Sequence, residues 1–240
     1  MDLDLSFRTK LLPTQPILRE YFEGSQESYI EAIYEALARY DGFRLPTDEF
    51  DIETSAEFPL VSMVSNLVVL QLLRLLILLK RPKRILEIGT FVGVSTMYMA
   101  SVLPPDGQIV TIEKFDKFAA HARRNFERNN LSNRIQLIQG DAFEVLNGPE
   151  CAQPFDMVFL DGNKEKYDAY FELLDPALPV GGLFIVDDVF FQGDALNPVP
   201  RSEKGRGARL CMEKAGAARN YAKALLPLGD GVLLMFKQTI

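Results

Sequence analysis

From Arg84 to the C-terminus, short apolar runs alternate with helix-length amphipathic stretches, and no other feature limits the fold of this 240-residue chain so strongly. Strands covered on both faces read as continuous apolar runs, and parallel neighbours must be joined by a crossover, usually a helix. The runs lie at Arg84–Ile88, Gln108–Glu113, Arg134–Gln139, Phe155–Leu160 and Gly182–Val186, with helical stretches near Gly93–Leu103, Asp116–Asn129, Asp141–Leu146 and Lys164–Ala177 between them. A further helix is expected at about Glu203–Ala218, followed by two strands flanking the turn signal Gly229-Asp230-Gly231. The pattern predicts an α/β fold: seven strands, mostly parallel, with helices on both faces.

The first 64 residues read differently, as a helical extension of a single domain whose core spans 65–240. After Ser25, the residues Tyr29, Ile33, Leu37 and Tyr40 recur at helical spacing until Asp41-Gly42 breaks the pattern. A second helix is expected from about Glu57 to Lys80, stopped by Pro82. Its apolar stretch, Leu67–Leu79, is 13 residues long and carries Gln71 and Arg74, whereas a bilayer span needs about 20 apolar residues. A buried helix is therefore expected there, with no membrane partner. The opening MDLDLSFRTK has acids where an export signal carries bases, so a cytoplasmic protein is expected.

Composition removes several chemistries. Two cysteines, Cys151 and Cys211, and one histidine, His121, leave no zinc-type spacing, disulfide framework or Cys-His dyad. His121 is expected on a solvated helix face beside Arg123 and Arg124. Acids outnumber bases 33 to 26 without a dense basic run, which disfavours nucleic acid as a partner.

In an open α/β sheet, ligands bind beyond the carboxyl ends of the strands. The first strand runs into Glu87-Ile-Gly89-Thr-Phe-Val-Gly93-Val-Ser95, a glycine-containing turn into a helix N-terminus. The second ends in Glu113, 20 residues beyond Gly93, where a carboxylate can accept hydrogen bonds from ribose hydroxyls. The GxGxxG pattern of pyrophosphate loops is absent, and the acid at Glu87 suits the cationic amino-acid end of a ligand such as S-adenosylmethionine better than a phosphate. A plain tight turn at Gly89 and Gly93 is the simpler alternative.

The fourth strand ends in Asp161-Gly-Asn163-Lys164 and the fifth in Asp187-Asp188. Three carboxylates at one rim repel each other unless a cation neutralises them, and oxygen-only donors suit Mg²⁺, Ca²⁺ or Mn²⁺. The alternative is that these aspartates cap the following segments. Lys164, three residues past Asp161, is a candidate base for a hydroxyl proton if a metal cation lowers its pKa.

These motifs, from about Ser65 to the C-terminus, resemble the cation-dependent class I O-methyltransferases, which have a Rossmann-like fold and include catechol and caffeoyl-coenzyme A O-methyltransferases. LEIGTFVGVST is similar to that family's cofactor loop, TIEKFD to its ribose-binding acid and QGDAFEVL to its adenine-contacting turn. VFLDGNKEKYDAY and VDDVFFQG resemble its metal-ligand segments, and LPLGDGVLL its closing hairpin. The resemblance implies that Glu87, Gly89 and Ser95 line the methionine part of the cofactor, Glu113 holds the ribose, and Asp141 and Ala142 flank adenine. It implies Asp161, Asp187 and Asp188 as metal ligands, with Asp161 also beside the cofactor, and Lys164 as the base. It further implies strand order 3-2-1-4-5-7-6 and a homodimer.

The chain departs from the family in placing Asp188 where Asn is common and Asn163 where Asp is common, which leaves the ion open between Mg²⁺, Ca²⁺ and Mn²⁺. Phe191 stands where many plant members carry Trp, and the first 60 residues match poorly. The expected reaction is methyl transfer to a hydroxyl of a small catechol-like or phenolic acceptor. The alternatives are a tRNA hydroxyuridine acceptor, a nicotinamide-dependent oxidoreductase, and a ligand-binding protein without catalysis. Arg201, Lys204 and Arg206 stand either as a grip on an anionic substrate tail or as a solvated loop.

Overall fold

A computed structural model of the protein describes residues 45–53 and 65–239, with Ala32, Glu35 and Ala36 before them. The chain forms two compact units, 1–43 and 44–240. In the first, the three described residues are helical, and the expected helix over Tyr29–Tyr40 otherwise lies outside the described residues.

The second unit is built on seven strands: β1 (Arg84–Ile88), β2 (Gln108–Glu113), β3 (Ile135–Gln139), β4 (Met157–Leu160), β5 (Leu183–Val186), β6 (Tyr221–Leu226) and β7 (Val232–Lys237). They form one sheet in the order β3-β2-β1-β4-β5-β7-β6. Strands β1 to β5 are parallel, and β7 runs antiparallel to β5 and β6. The Rossmann-like α/β fold and strand order expected from the sequence are those observed.

Around the sheet lie α1 (Pro46–Glu49), α2 (Leu67–Lys80), α3 (Val94–Ser101), α4 (Asp116–Arg128), α5 (Ala142–Leu146), α6 (Tyr167–Leu174) and α7 (Glu203–Ala217). Strand side chains alternate between the two faces with a period of two. Ile85, Ile109, Met157, Phe159 and Ile185 pack with Val69, Leu73 and Ile77 of α2, Met97 of α3 and Phe126 of α4. Leu86, Ile88, Val110, Val158 and Phe184 pack on the other face with Tyr167 and Phe171 of α6 and Ala208 and Cys211 of α7. Emptying one such position, as in Leu73→Ala, costs about 2–5 kcal/mol.

The start of α2 is corrected by a cap. Asn66 has extended ψ and its side chain accepts the Val68 N–H, so the helix begins at Leu67, and the part expected over 57–64 lies outside the described residues. At the other end Arg81 turns left-handed (φ 53°) just before Pro82. His121 is also corrected. It is partly buried, with Nδ1 3.3 Å from Glu53 Oε1, in a polar seam where Arg124 pairs with Glu53 and the Asn125 side chain accepts the Glu53 N–H. That seam holds the 45–53 segment against α4.

Candidate active site at the switch point of the sheet

The chain leaves β1 toward β2 and β3, then returns to place β4 on the other side of β1. Such a reversal opens a crevice at the carboxyl ends of the strands. It is occupied here by a cavity of about 950 Å³, lined by residues from the ends of β1, β2, β3, β4 and β5 and from the hairpin tip at Gly229-Asp230.

The cavity floor depends on Gly89. Its φ is +101°, and a Cβ there would lie 2.3 Å from the carbonyl oxygen of Asp161, so both the backbone turn and the approach of β1 to β4 require glycine. Gly93 (φ +88°) opens α3, and a side chain there would strike the Phe126 ring.

Glu113, 6% exposed, is held by backbone. Its Oε2 accepts the Phe91 N–H at 2.8 Å and its Oε1 the Phe115 N–H at 2.9 Å. Burial raises its pKa against the opposing pull of those N–H groups. Each carboxylate oxygen retains acceptor capacity toward the cavity.

Glu87 lies behind the wall. It is fully buried, and Ser95 Oγ donates to Oε1 while Thr96 and Thr111 hydroxyls donate to Oε2. Thr111 is its register partner on β2, which explains the contact. Burial carries the Glu87 carboxyl up to about 7 despite these three donors. Ser95, which lines the cavity, is the side chain through which Glu87 reaches it.

Asp141 and Ala142 both line the cavity. Asp141 also caps α5 by accepting the Phe143 N–H and pairs with Lys114 at 3.1 Å, and these contacts lower its pKa, Lys114 foremost. Phe143 stacks on Tyr170 with ring centroids 4.4 Å apart.

At the ends of β4 and β5, Lys164 Nζ lies 2.8 Å from Asp161 Oδ1 and 3.0 Å from Asp188 Oδ2. Ser65 donates to Asp161 Oδ2 at 3.3 Å. Asn163, rather than Asp161, caps the 3₁₀ turn Lys164–Lys166 that leads into α6. Burial disfavours the Lys164 charge, but Tyr167, Asp161 and Asp188 outweigh it and hold its pKa above the ordinary lysine value. As placed, Lys164 is a paired ammonium. Asp187 is 2% exposed, behind the cavity wall, where its Oδ1 accepts the Asp188 N–H. Its pKa is well above the usual carboxylate range, first through burial and then through repulsion by Asp161 and Asp188.

Among the described residues, no three acidic, histidine or cysteine side chains stand together as a ready metal cluster. The donor chemistry nevertheless fits a hard divalent cation, because three mutually repelling carboxylates provide only oxygen and two of them, Asp161 and Asp188, already draw one cation, the Lys164 ammonium.

Three cavity residues were not legible as site residues. Asp230 reads as part of a turn signal, yet the pairing of β7 with β5 carries it to the rim, where it accepts the Gln192 N–H. Ser65 and Tyr170 have no motif around them, and only the fold brings them to the cavity.

The crevice, the backbone-anchored Glu113 and the strand order define a class I cofactor-binding α/β protein. The chain belongs to the O-methyltransferase family, whose model matches residues 49–238. It is 37% identical over 147 residues to a catechol O-methyltransferase of Niastella koreensis, an alignment covering 60% of this chain and 66% of that one. A probable caffeoyl-CoA O-methyltransferase of Dictyostelium discoideum is 29% identical over 170 residues, covering 68% of this chain and 73% of the other. Among solved structures, the O-methyltransferase TomG of Streptomyces achromogenes, involved in tomaymycin synthesis and solved in complex with SAM, superposes with a TM-score of 0.77 at 25% identity. That match covers 90% of this chain and all of the other. The chain thus spans about two thirds to three quarters of the length of these two curated relatives.

Proposed function

We propose that the protein transfers a methyl group from S-adenosylmethionine to a hydroxyl of a small catechol-like or phenolic acceptor, with a divalent cation. The observation that carries this reading is that one cavity brings together two sets of residues, its cofactor half and its acceptor half. One half has Gly89, Ser95 and Glu113, fit for an amino-acid end and a ribose. The other has Asp161, Lys164 and Asp188, fit for an acceptor hydroxyl. TomG, solved with SAM, shares the fold around the first half.

In this reading Glu113 accepts the ribose hydroxyls, Ser95 meets the methionine end with Glu87 behind it, and Asp141 and Ala142 border adenine. Asp161, Asp187 and Asp188 hold the cation, Mg²⁺ or else Ca²⁺ or Mn²⁺. Bound there, such an ion supplies positive charge that acidifies a nearby hydroxyl. Lys164 Nζ is the group that exchanges a proton or hydrogen bond with the acceptor oxygen. The sulfonium methyl passes to that oxygen, its C–S bond electrons remain on sulfur, and the proton goes to the site or to solvent. Holding donor and acceptor in line contributes on the order of 7–11 kcal/mol to such a transfer.

A small acceptor is favoured over tRNA because acids outnumber bases 33 to 26 and no dense basic run is present to follow a phosphate backbone. Among the described residues no helix is long and apolar enough to cross a membrane. The expected homodimer is supported by an apolar stripe on α2, where Leu75, Leu78 and Leu79 are 53%, 56% and 72% exposed. The experiment is an acceptor panel of catechols, flavonoids and unmodified and hydroxylated tRNA, with and without Mg²⁺ and read by mass spectrometry. Methylated catechol is the expected product. Methylation of tRNA alone would overturn the small-acceptor reading, and no methylated product would overturn methyl transfer itself.

A further inference from the structure

The cavity wall next to the acceptor half is Phe191, in the loop between β5 and α7. This loop is held in an uncommon backbone: Asp188, Phe191 and Gln192 all have positive φ (54°, 42° and 53°) without being glycine. It is clipped to the hairpin tip by the Val189 and Phe190 N–H groups, which donate to Gly231 and Asp230 carbonyls. The ring of Phe191 is therefore a placed wall and not a loose side chain.

Over that ring stands Lys204 Nζ, 5.8 Å from its centroid, on the first turn of α7. Lys204 and Lys166 both line the cavity, and neither holds an ion pair among the described residues. The neighbouring acids are already engaged. Glu203 pairs with Arg206, and Asp194 accepts the Arg201 and Ser202 N–H groups together with the Ser202 and Asn197 side chains. Arg206 is spent on Glu203 and the Pro200 carbonyl. Asp161 and Asp188 are already paired with Lys164, and Asp230 accepts the Gln192 N–H of the same loop, so no carboxylate pairs with Lys204 among the described residues. Lys204 and Lys166 thus line the cavity with no carboxylate at ion-pair distance among the described residues, Glu203 acting on Lys166 only from farther away.

We propose that Phe191, Lys204 and Lys166 form a specificity subsite for acceptors whose hydroxylated aromatic ring bears a carboxylate. This rests on the methyl-transfer reading above. The ring packs along Phe191 with its hydroxyls toward Asp161, Lys164 and Asp188, and the carboxylate at its far edge meets Lys204 and Lys166. A neutral ring fills the same wall but leaves the two ammonium groups without a carboxylate at ion-pair distance.

The test compares kcat/KM for 3,4-dihydroxybenzoate and its methyl ester, which has the same ring and hydroxyls without the charge, in wild type, Lys204→Met and Lys204→Arg. Calorimetry of both compounds on the S-adenosylhomocysteine-loaded protein gives the same comparison without turnover. A single charge-assisted contact gives roughly a tenfold preference for the acid over the ester, the equivalent of about 1.4 kcal/mol. The ratio is expected to fall toward one in Lys204→Met, to be restored in Lys204→Arg and to shrink with added salt. Equal affinities for acid and ester in wild type, or a preference untouched by Lys204→Met, would overturn the subsite. Absence of turnover for either compound would count against the methyl-transfer reading, whereas the calorimetric ratio would still decide the subsite.

Discussion

Glu87 carries a charge problem whose size can be worked from the structure. Its carboxyl sits with no exposure beneath the cofactor half, and its pKa rises from an ordinary 4.5 to about 7, chiefly through burial. For an acid raised on folding, the folded state binds a proton that the unfolded chain has already released. Stability therefore falls as pH climbs from about 4.5 to about 7 and levels off above that. At about 1.4 kcal/mol for each pH unit, this single group removes about 3 kcal/mol across the window. Glu87→Gln keeps the shape and cannot ionise, and the Ser95, Thr96 and Thr111 hydroxyls can rotate to meet an amide. Denaturant midpoints measured from pH 4.5 to 8.5 should show the wild type losing about 3 kcal/mol relative to Glu87→Gln as pH rises, with most of the change complete by pH 8. Parallel pH profiles for the two proteins would refute the reasoning, because they would mean that the three hydroxyls stabilise the carboxylate as well as water does.

Three further outcomes follow from other parts of the molecule. Gly89→Ala places a Cβ 2.3 Å from the Asp161 carbonyl oxygen at a φ of +101°, and should cost about 3 kcal/mol in thermal or chemical unfolding; a loss below about 0.5 kcal/mol would show that β1 and β4 can part there. Asp187→Ala should abolish metal-stimulated methyl transfer while leaving S-adenosylmethionine affinity measurable by calorimetry, and chelation should mimic it. Full activity in excess chelator with Asp187 and Asp188 both replaced would sink the cation reading. Leu79→Glu puts a charge on the most exposed leucine of the α2 stripe and should shift a dimer to monomer in light scattering; an unchanged mass would place any interface elsewhere.

Much of the fold was legible because it rests on local rules. The all-buried runs Met157–Leu160 and Leu183–Val186 announce central parallel strands, and the Gly229-Asp230-Gly231 turn announces the antiparallel pair that closes the sheet. The start of α2 was misread because a single Asn cap overrides an apolar pattern that continues on both sides of it. His121 was misread because its partner Glu53 is 68 positions away, beyond what helical periodicity can report. In the site, residues at strand ends were legible, since the switch-point rule names their location before any coordinate is known. Asp230 and Tyr170 were not, because they reach the cavity only through the pairing of β7 with β5 and the packing of α6 on the sheet.

The same division explains where specificity can change without loss of the fold. The cofactor half is fixed by backbone: Glu113 is held by two main-chain N–H groups, and Gly89 by its contact with the β4 terminus. Substitution there strains the sheet itself. The acceptor half is fixed by charges on side chains, with Lys164 between Asp161 and Asp188 and with Lys204 and Lys166 also lining the cavity. Exchanging Lys204 or Lys166 alters the potential felt by the acceptor while the strands keep their register, because an exposed charge makes only a small contribution to stability. Acceptor choice should therefore respond to residues 164–166 and 191–204 far more than to the glycine loop, and a chimera exchanging only residues 189–204 with those of a relative of different acceptor preference should move the preference and leave cofactor affinity within about threefold. Transfer of preference through the 89–95 loop instead would reverse the assignment of the two halves.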